Sequence, residues 1–247
     1  MESFNISIAG ITAGVRCLFA STKEFCRDYL TEAAPSFETE VTADDIRRER
    51  EIAGEQDERD GIGPRVFPDA YLETIALYRK LASALLPYSC VVFHGTVVAV
   101  DGYSYMFTAR SGTGKTTHAQ LWLKNIKNSF ILNGDKPLLR VTDDAVLACG
   151  TPWNGKEDYG TNMILPLRAI CFLSRDTVNH IESLPVAKAL PGLYHQMHLC
   201  EGFEEMEKQL ALLGEIVGRV ELYHLGCNME NDAALVSCEE MSRHTSE

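Results

Sequence analysis

The sequence predicts an α/β fold, a mixed β-sheet flanked by helices and built as a single domain over residues 1–247. Three observations carry that prediction. Short apolar runs at Cys90–Phe93, Thr96–Val100 and Tyr103–Thr108 read as closely spaced strands. Asp101-Gly102 joins the last two as a tight turn, so they pair antiparallel, because parallel strands need a much longer crossover. A glycine-rich stretch then leads from strand into helix, and further strand-like and helix-like segments follow it.

Taken in order, Phe4, Ile6 and Ile8 alternate with polar or small residues before Gly10, and Val15 to Phe19 extends beyond Gly14. Together they suggest an N-terminal hairpin. Residues 38–60 hold ten acids and four arginines, half of the chain's net charge of −12. This run reads as a solvated, partly mobile connection in which Thr42 and Asp45 are placed to cap a short helix. Residues 1–60 are thus hairpin and acidic connection, and 69–247 the core. Asp69 to Leu86 carries Tyr71, Ile75, Tyr78, Leu81 and Leu85 at helical spacing and stops at Pro87. After the three strands, His118–Ile126 reads as helix, and Ser129–Leu132 and Leu138–Val141 as strands around Asn133-Gly134-Asp135. Ala169–Leu173 is a buried strand, and Phe203, Met206, Leu210 and Leu213 mark a helix. Val220–Leu225 is a strand, and Asn231 is placed to cap a final helix.

Composition narrows the function. Thirty-five acids against 23 bases repel nucleic acid and anionic membrane surfaces alike. The start shows no cationic segment followed by an apolar run, and the apolar stretches are too short to cross a bilayer. Eight scattered cysteines without a C-x-x-C pair read as reduced thiols, so a cytoplasmic setting is expected. The oligomeric state is open, and a homo-oligomer is compatible with the composition.

The chemistry sits at Ala109-Arg110-Ser111-Gly112-Thr113-Gly114-Lys115-Thr116, a Walker A pattern with Ala in place of the first Gly. Consecutive main-chain N–H groups of such a loop surround phosphate oxygens, and the following helix adds its positive end. Lys115 is the cation for the β/γ-phosphates and Thr116 the Mg²⁺-ligating hydroxyl, with Thr117 beside them. The expected cofactors are therefore ATP, or another nucleoside triphosphate, and Mg²⁺. Asp135 follows a strand where a second carboxylate is needed, to hold the ion or to accept a proton; the plainer reading is a turn-forming Asn-Gly-Asp. Arg110 either points outward or covers the triphosphate, Lys156 is an extra phosphate clamp or a solvated lysine, and Trp153 a stacking surface or a half-buried loop tryptophan. His195-x-x-His198-x-Cys200 and His224-x-x-Cys227 hold zinc-ligand types, but at no standard structural spacing.

Phe93-His94-Gly95, the Asp101-Gly102 turn, Ser111-Gly112-Thr113-Gly114-Lys115-Thr116-Thr117 and Asp135 resemble the HPr kinase/phosphatase family. That family shares the phosphoenolpyruvate carboxykinase-type P-loop fold, and the Ser-Gly-Thr-Gly-Lys-Thr-Thr string is close to the carboxykinase loop. The resemblance covers residues 94–135, with a weaker likeness through Gly150-Thr151-Pro152-Trp153 and Val220–Leu225. It implies ATP-dependent transfer to a serine hydroxyl, with His94 as active-site histidine and Asp135 as the second of a pair of aspartates. The first of that pair is Gly134 here. The expected activity is a kinase acting on a hydroxyl of a protein or small molecule, with HPr itself not assumed. The alternatives are a catalytically inactive nucleotide-sensing module and a P-loop ATPase or small-metabolite kinase.

Overall fold

The computed structural model describes residues 1–243, and the chain divides between Leu85 and Leu86 into two compact units. The helix from Asp69, which the sequence groups with residues 69–247, falls in the unit formed by Met1–Leu85.

In the first unit, β1 (Glu2–Ile8) and β2 (Ile11–Cys17) form the expected hairpin, and β3 (Phe37–Glu40) lies parallel to β2. The turn is Ala9-Gly10, both at positive φ (56° and 74°), the two-residue type that matches strand twist. The second strand therefore starts at Ile11 rather than Val15, and Gly14 lies inside it under the Glu38 side chain. Three helices follow the hairpin: α1 (Ala20–Phe25), α2 (Ala43–Arg59) and α3 (Asp69–Leu85).

The acidic run is not a mobile connection; most of it is α2. Thr42 and Asp45 form a reciprocal capping box, with Asp45 Oδ2 accepting from Thr42 N at 2.8 Å and Thr42 Oγ1 from Asp45 N at 3.3 Å. Its acids are paired within the helix, as in Asp44–Arg47 at 2.6 Å, and across to α3, where Arg79 meets Glu49 at 2.6 Å and Lys80 meets Asp45 at 3.0 Å. Counting charge along the run missed those two bases, which lie further along the chain. The start of α1 has no side-chain cap of its own. Fully buried Glu73 of α3 holds the chain entering it, accepting from Leu18 N (2.6 Å), Phe19 N (3.2 Å) and the Thr22 hydroxyl.

The second unit is built on one mixed sheet of nine strands among the described residues. These are β4 (Cys90–Val92), β5 (Thr96–Val100), β6 (Tyr103–Thr108), β7 (Phe130–Asn133), β8 (Leu138–Val141), β9 (Val146–Cys149), β10 (Ile164–Arg175), β11 (His180–Ser183) and β12 (Glu221–Cys227). The order is β4-β8-β9-β10-β6-β5-β7, with β12 also on β10 and β11 on β12. Strand β6 pairs antiparallel with β5, as the Asp101-Gly102 turn requires, and parallel with β10 on its other edge. Twelve-residue β10 is the spine: its first residues pair with β9, Leu167–Phe172 with β6 and Ala169–Arg175 with β12.

Helices α4 (Lys115–Asn125), α5 (Val186–Gln196), α6 (Phe203–Arg219) and α7 (Asp232–Met241) accompany the sheet. Strand alternation sorts its residues into two cores. Val97, Met106, Ile170 and Leu222 pack with Leu193 of α5 and Leu213 and Ile216 of α6. Their neighbours Val98, Phe107, Cys171 and Tyr223 pack with Ala119 and Trp122 of α4 and Ala234 of α7. Trp122 is fully buried and donates from Nε1 to Ser237 Oγ at 2.9 Å.

Strands β9 and β11 and helix α5 were not anticipated. Pro191-Gly192 disguises α5 as a break, yet Pro191 sits inside it, and Gly192 leaves room for Phe172, whose ring would lie 2.6 Å from a Cβ there. Asn231 is the N-cap residue before α7, but its side chain makes no cap bond. Among the described residues no disulfide joins any of the eight cysteines, and no helix is long and apolar enough to cross a membrane.

Candidate functional site

The glycine loop begins where β6 ends and finishes where α4 begins, the strand–loop–helix context the sequence predicts. Gly112 (φ 76°) and Gly114 (φ 125°) have open space where a Cβ would go, so conformation rather than crowding calls for glycine there. Gly114 is the N-cap of α4, whose first turn contains no acid. Leading N–H groups of an α-helix have no partner within the helix, and here no carboxylate of the first turn takes them. Such an end attracts an anion.

Lys115 Nζ donates to Ala109 O at 3.0 Å across the loop. Burial pushes its pKa below the ordinary 10.5, against the pull of Asp135. A half-buried ammonium held by a main-chain carbonyl is suited to receiving a stronger anionic acceptor. The loop is braced from outside by Arg175 at the end of β10, whose Nη2 donates to Gly112 O at 2.6 Å and Nε to Thr113 O at 3.4 Å.

Opposite the loop stand His94 and Asp135, with His94 Nε2 3.4 Å from Asp135 Oδ1. His94 follows β4; its main-chain N donates to Gln196 O at 2.7 Å, and Gly95 N to Asp135 O at 3.0 Å. Burial, then Lys136 and Lys115, push the His94 pKa down to about 4, and Asp135 opposes them only in part. At neutral pH the imidazole is uncharged, and its contact with Asp135 is a dipolar one rather than an ion pair.

Asp135 is aimed by Asn133, which is fully buried at the end of β7. Asn133 Oδ1 accepts from Asp135 N (3.0 Å) and Lys136 N (2.8 Å), while its amide donates to Thr151 and Asn154. The Asn-Gly-Asp segment is therefore both a turn and a carboxylate mount. At Gly134 a Cβ would sit 2.5 Å from Asn154 O and 3.2 Å from Tyr159 O, so an acid cannot occupy that position without moving the neighbouring backbone.

One cavity of about 460 Å³ is lined by His94, Ser111, Gly112, Gly114, Lys115, Thr116, Thr117, Gly134, Asp135 and Lys156, among others. It gathers the sequence-selected His94, Asp135, Lys115 and Thr116, with Lys156 at the rim. Ala109, Arg110 and Thr113 face a second cavity of about 930 Å³ together with Ser174, Arg175, His195 and Gln196. Trp153 is not a stacking surface: it is buried, and its carbonyl accepts from Lys136 N at 3.1 Å. Among the described residues no group of three or more His, Cys, Asp or Glu is arranged to hold a metal ion. His224 of the zinc-type pattern bonds Ser174 instead. Sequence reasoning missed Arg175 because the strand was ended at Leu173, and missed Asn133 because a buried asparagine carries no motif.

No family model matches the chain, and no curated protein matches it in sequence. Among solved structures, the HPr(Ser) kinase/phosphatase from Coxiella burnetii superposes with a TM-score of 0.33 and 8% identity, covering 60% of this chain and 95% of that one. Similarity at that level assigns no family.

Proposed function

We propose that the chain is a phosphotransferase of the HPr-kinase-related type, holding a nucleoside triphosphate with Mg²⁺ at Ala109–Thr117 and passing a phosphoryl group to a hydroxyl of a serine or small molecule. The observation that carries this reading is the convergence of Lys115, Thr116, Asp135 and His94 on one cavity at the start of α4. The loop amides and the helix end bind phosphate oxygens, and Lys115 leaves its carbonyl partner for them. Thr116 and Asp135 are the groups to hold the ion, which when bound neutralises charge on the phosphates. Asp135 is also the carboxylate to take the proton of an attacking hydroxyl, and His94 beside it steadies that carboxylate.

A second reading, a nucleotide-sensing module without turnover, is favoured by one observation: the packing of Gly134 leaves Asp135 as the single acid of the segment. Calorimetry with Mg–ATP, followed by a phosphotransfer screen, separates the two. Uptake is expected for the native chain and is weakened at least about tenfold in Lys115→Ala, which removes the charged donor. Asp135→Asn, which loses one ion ligand but keeps Lys115 and the loop, is expected to weaken uptake less than Lys115→Ala and to lose transfer. Uptake with no transfer to any acceptor favours the module, and no uptake at all defeats both.

A further inference from the structure

A second group of chemically competent side chains includes one that lines the larger cavity beside the glycine loop. Strand β12 runs between β10 and β11, and register places His224 level with Glu182 on β11 and with Phe172 on β10. Strand alternation puts Ser174 on the Phe172 face, two residues further along. Ser174 Oγ lies 2.9 Å from His224 Nε2, and His224 Nδ1 lies 3.6 Å from Glu182 Oε1. A hydroxyl in hydrogen-bond reach of an imidazole, with a carboxylate beside the other ring nitrogen, is the set of groups an activated nucleophile needs. With the Nδ1 proton turned to Glu182, Nε2 is left to accept the Ser174 proton.

Location supplies an independent observation. Ser174 shares the cavity of about 930 Å³ with the glycine loop. Strand β6 ends at Thr108, paired with Phe172, so the glycine loop leaves the sheet two residues before Ser174, and Arg175 reaches the loop carbonyls. The ionisable groups lining this cavity are Arg110, Arg175 and His195, with no acid among them, in a chain whose net charge is −12. Such a surface draws an anionic electrophile toward the serine.

We propose that Ser174 is a nucleophile that accepts a phosphoryl group from the nucleotide held in the adjacent loop, with His224 as its base and Glu182 as a positioning residue. The proposal rests on the nucleotide reading above. The Ser174 Oγ–P bond forms and the bond from the terminal phosphorus to its bridging oxygen breaks. The electron pair leaves with the nucleoside diphosphate, and the hydroxyl proton passes to His224 Nε2.

Two measurements on the whole chain test it. A fluorophosphonate probe, added without nucleotide, is expected to label Ser174. Labelling is lost in Ser174→Ala and slowed at least about 100-fold in His224→Gln, with far-UV circular dichroism checking that each variant is folded. Glu182→Ala slows labelling, and Glu182→Gln, which still offers an oxygen to Nδ1, restores most of the rate. After incubation with Mg–ATP, peptide mapping is expected to find one phosphoryl group on Ser174, absent in Lys115→Ala. A folded native chain whose Ser174 resists the probe overturns the nucleophile. Clear Mg–ATP uptake with Ser174 unmodified overturns the acceptor assignment while leaving nucleotide binding intact, and no uptake removes both.

Discussion

At Gly134 a hydrogen atom stands where any other residue would press a Cβ against the Asn154 carbonyl at 2.5 Å. Backbone on both sides of that contact leaves no flexible side chain to give way. Gly134→Ala is expected to cost about 1–3 kcal/mol, the usual range for overpacking, and to displace the Asp135 mount. Gly214 is a matched contrast, an exposed helical glycine in α6 with nothing within 4 Å of its Cβ position. Gly214→Ala is expected to stabilise by about 1 kcal/mol, since alanine is the better helix former. Denaturant midpoints of the two variants, moving in opposite directions, check both expectations. Part of the site was legible at this scale: Lys115, Thr116, Asp135 and His94 were chosen from the sequence and share one cavity. The residues that aim them were not. Arg175 reaches loop carbonyls, and the Asn133 amide reaches Thr151 and Asn154, across distances in sequence that only folding closes, and one-dimensional spacing holds no trace of such contacts.

The elements teach a related lesson. Strands β5 and β6 and helix α3 were legible because their apolar periodicity is clean and a turn or proline bounds them. Helix α5 was hidden by its internal proline, and α2 by a run of like charge whose partners lie on α3. Interdependence of helices is strongest at α1, six residues long and held at its start by Glu73. Glu73→Ala leaves two part-buried main-chain donors and the buried Thr22 hydroxyl without their acceptor. The variant is expected to lose about 3 kcal/mol, the scale of breaking a buried charged hydrogen-bond group, with the loss read from chemical unfolding.

For the whole molecule, acid is the sensitive direction. His94 and buried His118 are both pushed from 6.5 to about 4, each chiefly by burial. Between those values the unfolded chain binds protons that the folded chain refuses, so stability present above about pH 6.5 declines as pH falls toward 4. Asp57, held below 3.8 by hydrogen bonds from Arg65, extends the decline at still lower pH. The fully buried share, that of His118, is on the order of 3 kcal/mol. His118→Gln is expected to flatten the slope of stability against pH across this window in thermal or urea titrations. An unchanged slope removes His118 from the account.

Both tryptophans, Trp122 and Trp153, belong to the chain beyond Leu85, and residues 1–85 contain none. Emission excited at the red edge of the indole band is therefore blind to the hairpin unit, whereas far-ultraviolet ellipticity records helices in both. If the two units melt separately, ellipticity shows a step that indole emission lacks. Coincident curves from the two optical signals mean instead that the chain melts as a single cooperative body.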